Sequence, residues 1–230
     1  MKRKLIYATL REQLFDSLKE LILTNQYQPG EELQVEKIAE EFGVSATPVR
    51  EALVRLASIG LVEIVPNRGA TVAQISADDV RWVWEARRVL ELYAARITVE
   101  CCTDAEIAMM EQKLAQVTKN PEDLTVYMEF DLELHQLLQR YLNNKIIRGM
   151  LDQVNEQSMR IRYFAESYSE TVQKQVVEQV TAEHAAIVRA LRQRSVEAVI
   201  TVLEEHLRNG EIRTLKCLSN RGGAVKVANI

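Results

Sequence analysis

The chain has 230 residues, 47% of them apolar, with eight Gly, four Pro and a formal net charge of −4. That length holds one large domain or two modest ones, the scarcity of Gly and Pro favours long helices over a β-rich fold, and four Phe with two Trp leave the cores aliphatic. The acidic balance excludes nonspecific coating of nucleic acid, no apolar run approaches a membrane span, and the Met1-Lys2-Arg3-Lys4 start lacks the apolar stretch of a signal peptide. The three cysteines, two of them adjacent at Cys101 and Cys102, show no metal-type spacing, which points to reduced thiols and a cytoplasmic protein.

Leu14, Leu18, Leu21 and Ile22 recur at helical spacing in a first segment from about Thr9 to Thr24, ended by the Pro29-Gly30 turn. A short helix follows from about Val35 to Phe42, with Gly43 where a left-handed C′ residue belongs. Ser45 or Thr47 caps a third helix, with Pro48 in its first turn, and Gly60 stops it. Two short helices joined by Gly43-Val44-Ser45 form a helix-turn-helix. Residues 61–65 and 70–73 then flank Pro66-Asn67-Arg68-Gly69 as a hairpin wing with a basic tip.

A winged helix presents the amino-terminal part of its second motif helix to the major groove, here Ser45, Thr47, Pro48 and Arg50, with Arg55 further along. An arginine fork can pair with guanine O6 and N7, while Arg68 beside Gly69 on the wing reaches the minor groove or a phosphate. Residues 1–74 carry nine Lys/Arg against ten Asp/Glu, so any DNA contact depends on local placement of cations rather than on a basic domain. An isolated helix would leave such arginines as solvated cations.

From Ile75 onward the pattern is helical throughout: approximately 78–101, 104–118, 122–142, 144–167, 171–193 and 195–217. The domain plan is therefore 1–74 for the winged helix-turn-helix, 75–218 for a helical-bundle domain, and 219–230 for a disordered tail. The fold class is mainly α. The only three histidines are His135, His184 and His206, on three of these helices, and Asp131 precedes His135 by one helical turn on the same face. One carboxylate and three imidazoles suit a borderline divalent ion such as zinc or nickel. A lone histidine is more often a plain core or surface group.

The run Gly43-Val44-Ser45-Ala46-Thr47-Pro48-Val49-Arg50-Glu51-Ala52-Leu53, within Leu33–Leu61, resembles the winged helix of GntR-family bacterial transcription regulators. Ala46 departs from that pattern, where many relatives carry Arg, so a family contact is expected to be missing. Residues from about Asp78 to Leu215 resemble the FCD domain, the ligand-sensing half of the family's FadR branch, whose metal pattern carries over to Asp131, His135, His184 and His206. The resemblance also implies effector-binding roles for Arg87, Asn144 and Arg160. For Arg87 a salt bridge with Glu91, and for Asn144 a helix cap, stand as alternatives.

What the resemblance implies is a homodimeric regulator, not an enzyme, binding double-stranded operator DNA under the control of a small carboxylate metabolite held at the metal. Repression is the expected sign. The rivals are a regulator sensing the ion itself, a metal-dependent hydrolase or lyase, and a purely structural metal.

Overall fold

A computed structural model describes residues 10–65, 69–166 and 170–220. Contacts divide the chain into two compact units, the residues up to Ser76 together with Met159–Phe164, and Ala77–Ser158 together with the residues from Ala165.

In the first unit α1 (Leu10–Leu23), α2 (Val35–Glu41) and α3 (Ala46–Ser58) pack beside a small sheet of β1 (Glu32–Leu33), β2 (Val62–Val65) and β3 (Gly69–Val72). The strand order is β1-β3-β2, antiparallel throughout, with Val62 opposite Val72 and Val65 opposite Gly69. The expected hairpin is there. β1, just after the Pro29-Gly30 turn and not expected from sequence, adds a third strand by pairing Glu32 with Thr71 and Leu33 with Ala70. The core is aliphatic: Leu14, Leu18 and Ile22 of α1 meet Val49, Leu53 and Leu56 of α3. Gly43 follows α2 at φ 63°, a left-handed conformation that turns the chain sharply into α3 and that a side chain would strain.

The second unit is a bundle of α4 (Ala77–Cys101), α5 (Asp104–Lys119), α6 (Leu124–Gln139), α7 (Lys145–Glu166, whose residues Met159–Phe164 count with the first unit), α8 (Glu170–Arg192) and α9 (Val196–Asn220). α6 starts later than expected because Asp123 caps it, accepting from the N–H groups of Thr125 and Val126 at 3.1 and 3.2 Å. α9 continues two residues into the segment expected to be tail, and the rest of that segment lies outside the described residues. Val99, Phe130, Leu134, Ile187, Leu191 and Leu203 are among the side chains filling the core. Among the described residues no helix is long and apolar enough to cross a membrane.

Glu106 joins α5 to the segment after α6. Its carboxylate accepts from the Thr103 backbone N–H at 2.8 Å and from the Arg140 guanidinium and Tyr141 hydroxyl at 2.6 Å each, and Thr103 completes a capping box. The Thr103 hydrogen bond, then those from Tyr141 and Arg140, outweigh partial burial and hold Glu106 at about 2. Because this lies below the unfolded value, the interaction contributes fully above pH 4.5 and fades as pH falls toward 2. Glu106→Gln is therefore expected to cost about 1 kcal/mol near neutral pH. In denaturant titrations the gap between variant and wild type should narrow below pH 4.5; a gap independent of pH would show that the charge of Glu106 is irrelevant.

Candidate metal centre and nucleic-acid interface

α6 turns Tyr127, Phe130, Asp131, Leu134 and His135 toward the bundle interior, a spacing that puts them on one helical face. α8 supplies His184, fully buried, and α9 supplies His206, also buried. The three rings converge: their centroids lie 4.9 Å (His184–His206), 5.3 Å (His135–His206) and 6.1 Å (His135–His184) apart. One nitrogen from each lies within 4.8 Å of the others, the one such cluster of metal-ligating groups among the described residues. Asp131 Oδ1 is 3.4 Å from His184 Nε2. That is long for a hydrogen bond but matches two ligand atoms sharing one ion at bonds of about 2.0–2.2 Å.

Two carboxylates stand behind the rings. His135 Nδ1 is 2.9 Å from Glu91 Oε2, and Glu91 Oε1 accepts from Arg87 Nε at 2.6 Å. His206 Nδ1 is 2.8 Å from Glu183 Oε2, and Glu183 accepts from both Arg213 amino groups at 2.7 and 3.0 Å and from Asn209 at 2.9 Å. Burial is the largest influence on Glu91 and pushes it upward, but Arg87 and His135 outweigh it and hold the carboxyl at about 2. Glu183 behaves likewise: burial raises it, while His206 and Arg213 together bring it to about 2. Both are therefore ionised near neutral pH and can only accept.

Burial, aided by the neighbouring imidazoles and opposed by Glu183, lowers His206 to about 3, so its ring is neutral. A neutral ring that donates from Nδ1 leaves Nε2 as a bare lone pair. His135 Nε2 is buried and has no hydrogen-bond partner among the described residues. This donor set, with two imidazole nitrogens backed by carboxylates, fits a divalent ion of the zinc type.

The remaining sequence-singled residues fall elsewhere. Arg87 is buried, engaged by Glu91 on one side and donating to Ser158 Oγ at 3.1 Å on the other. Asn144 is exposed and accepts from the N–H groups of Ile146 and Ile147 at 3.0 and 3.3 Å, as a helix cap does. Arg160 is buried in the first unit, where it donates to the Ala73 carbonyl. Sequence reasoning gave no role to Glu183, Arg213 or Ser158. Glu183 sits directly before His184, but its partnership with His206 is long-range and left no spacing signal.

In the first unit, Ser45 occupies the N-cap of α3 without a side-chain capping bond, and Ser45, Thr47 and Arg50 are exposed while Pro48 is half-buried. Arg50 is 3.4 Å from exposed Glu36, an ion pair weak enough to be exchanged for a phosphate or base at little cost. Arg55 lies over the Phe15 ring at 3.9 Å, which holds the guanidinium against α1. Gly69 opens β3 at φ 94°, and Arg68 lies outside the described residues.

Comparison with known proteins places both units. Residues 10–72 match the bacterial regulatory proteins of the gntR family, and residues 83–209 match the FCD domain. The repressor RspR of Escherichia coli K12 is 28% identical over 200 residues, 86% of each chain, and the regulator YdhC of Bacillus subtilis is 27% identical over 147 residues, 63% of this chain and 66% of YdhC. In fold the chain is similar to E. coli McbR/YncC, with a TM-score of 0.72 at 22% identity over 93% of this chain and all of that one. The chain belongs to the GntR family of DNA-binding transcription regulators, in the group carrying an FCD domain. The family consists of regulators rather than enzymes: they bind operator DNA, and their FCD domains bind small-molecule effectors and often metal.

Gly210, one turn beyond His206 on α9, lies against Trp84 of α4: a Cβ there would stand 2.8 Å from the indole Nε1. Trp84 is 1% exposed and has little room to yield. Gly210→Ala should destabilise the protein by about 1–3 kcal/mol despite the better helix propensity of Ala. An unchanged urea midpoint would show that α4 and α9 have slack at this contact.

Proposed function

We propose that this regulator, a cytoplasmic homodimer, binds operator DNA through α3 and represses transcription, and that a small carboxylate metabolite binding at a divalent ion in the helical unit controls that binding. The observation that carries the proposal is the convergence of three buried imidazoles, with Asp131 beside His184, in the apolar core of the bundle. Asp131, His135, His184 and His206 would hold the ion, zinc or nickel. When bound, the ion supplies Lewis acidity and one or two further coordination positions to a ligand oxygen. Ser45, Thr47, Pro48, Arg50 and Arg55 would meet the duplex, joined on the wing by Arg68 and Gly69. Control of DNA affinity requires that effector bind the DNA-competent and DNA-incompetent states unequally.

Arg87 is better suited to orienting Glu91 than to clamping effector, because two of its nitrogens are already committed. Asn144 and Arg160 stay in the proposed effector set, Asn144 also capping α7 and Arg160 also donating to the Ala73 carbonyl.

A thermal-shift screen of small carboxylic acids tests the proposal on metal-loaded wild type beside His135→Ala. A compound that stabilises only the metal-loaded wild type, by about 2.7 kcal/mol at a hundredfold excess over Kd, is the expected result. Stabilisation by metal alone, with no acid adding to it and operator affinity tracking occupancy, would replace the organic effector with the ion itself. Arg50→Ala should weaken operator binding by about 1–3 kcal/mol in a fluorescence-anisotropy titration at fixed salt. Unchanged affinity would remove Arg50 from the interface.

A further inference from the structure

Each of two histidines in the bundle is gripped from behind by a carboxylate that is itself gripped by an arginine. The first chain runs Arg87–Glu91–His135 and joins α4 to α6, with a branch from Arg87 to Ser158 on α7. The second runs Arg213–Glu183–His206 and joins α9 to α8 and back, with Asn209 as an added donor. The sequence orders differ: Arg87 and Glu91 share one helix a turn apart, whereas Arg213 and Glu183 come from different helices. The resulting geometry at the imidazole is nevertheless the same, a carboxylate oxygen 2.8–2.9 Å from Nδ1.

We propose that Glu91 and Glu183 are positioning residues that fix His135 and His206 as Nδ1–H tautomers, so that both present a bare Nε2 to the ion before it arrives, and that Arg87 and Arg213 hold those carboxylates in place. The inference rests on the metal reading above and deepens it. A neutral imidazole otherwise divides between two tautomers and rotates about its side-chain bonds, and only one combination offers the inward lone pair. A carboxylate oxygen 2.8–2.9 Å from Nδ1, as at both rings, selects the tautomer and the ring plane together and raises the basicity of the ligating nitrogen. A carboxylate left to itself in this interior would be costly to bury, and the arginine offsets part of that cost while fixing which oxygen faces the ring. Ser158 and Asn209 take up further donor or acceptor capacity on the outer side.

The test exploits the presence of only three imidazoles in the chain. In metal-free full-length protein labelled with 15N-histidine, long-range 1H–15N correlation spectra assign each tautomer. His135 and His206 are expected to show a protonated Nδ1 and an unprotonated Nε2. Glu91→Gln should release His135 and leave His206 unchanged, and Glu183→Gln should do the reverse. Zinc affinity, measured by competition with a chromophoric chelator, should fall about 10–100-fold in each variant. Arg213→Gln, which keeps the Glu183–His206 contact and removes its outer support, should cause a smaller fall. Circular dichroism separates these effects from unfolding, because a merely structural role would change the melting temperature without changing the tautomer of one chosen ring.

Mixed or Nε2–H tautomers in the wild type, or unaltered zinc affinity in both glutamine variants, would overturn the inference and leave the metal reading standing. Fixed Nδ1–H tautomers in a wild type that binds no zinc would overturn the metal reading instead.

Discussion

Three buried imidazoles, with buried Glu91 and Asp131 and half-buried Glu183 beside them, sit in a largely apolar bundle, and the helical unit is organised around making that burial tolerable. An isolated charge in such a place costs several kcal/mol, and even a well-paired buried ion pair is often no more stable than apolar side chains of the same volume. Positions 87 and 91 lie on the inward face of α4 beside Val80, Trp84, Ala94 and Val99, where apolar residues would pack well. Arg and Glu at those positions therefore do not serve stability alone. Their partners on α6 and α7 give the reason, since together they set the orientation of a ring that points into the centre of the bundle.

The same constraint explains why the functional groups ride on long helices and not on loops. α6 places Asp131 and His135 one turn apart, α8 and α9 bring one histidine each, and the close α4–α9 approach at Trp84 and Gly210 fixes the depth of the helix carrying His206. Aromatic contacts narrow the choice further: Phe130 meets the His184 ring edge-on at 5.6 Å and Tyr127 lies nearly parallel to it at 6.4 Å. The first unit works by a different logic. Its buried core is aliphatic, with Phe15, Tyr27 and Phe42 packed at the edge, and the side chains proposed to meet DNA are on α3, where among the described residues Arg50 meets an exposed ion-pair partner and Arg55 a ring face. Such weak contacts suit groups that exchange solvent for phosphates and base edges.

Much of this was legible in the sequence, for physical reasons that differ along the chain. The helix-turn-helix could be read because Gly43 and Gly60 mark positive-φ stops, because Ser45 and Pro48 mark the start of α3, and because apolar spacing in α1 is regular. The histidine cluster could be read because there are few histidines and each falls on a separate helix. β1 was not legible, since two residues carry no alternation and its pairing depends on β3 some forty residues away. The Glu183–His206 and Arg87–Ser158 contacts were invisible for a related reason: they join residues from different helices, and helical spacing reports only neighbours on the same one. Arg87 shows the limit well, for its i to i+4 partner Glu91 was readable while the onward link to His135 was not.

X-ray absorption at the metal edge of the purified, metal-loaded protein tests the shared-ion centre most directly, because it counts ligands by type without requiring crystals or a known effector. Three imidazole nitrogens and a carboxylate oxygen at about 2.0–2.2 Å are expected, with any remaining positions filled by water oxygens. A shell made mainly of water oxygens, or one containing sulfur with fewer than two imidazoles, would contradict an ion held by Asp131, His135, His184 and His206.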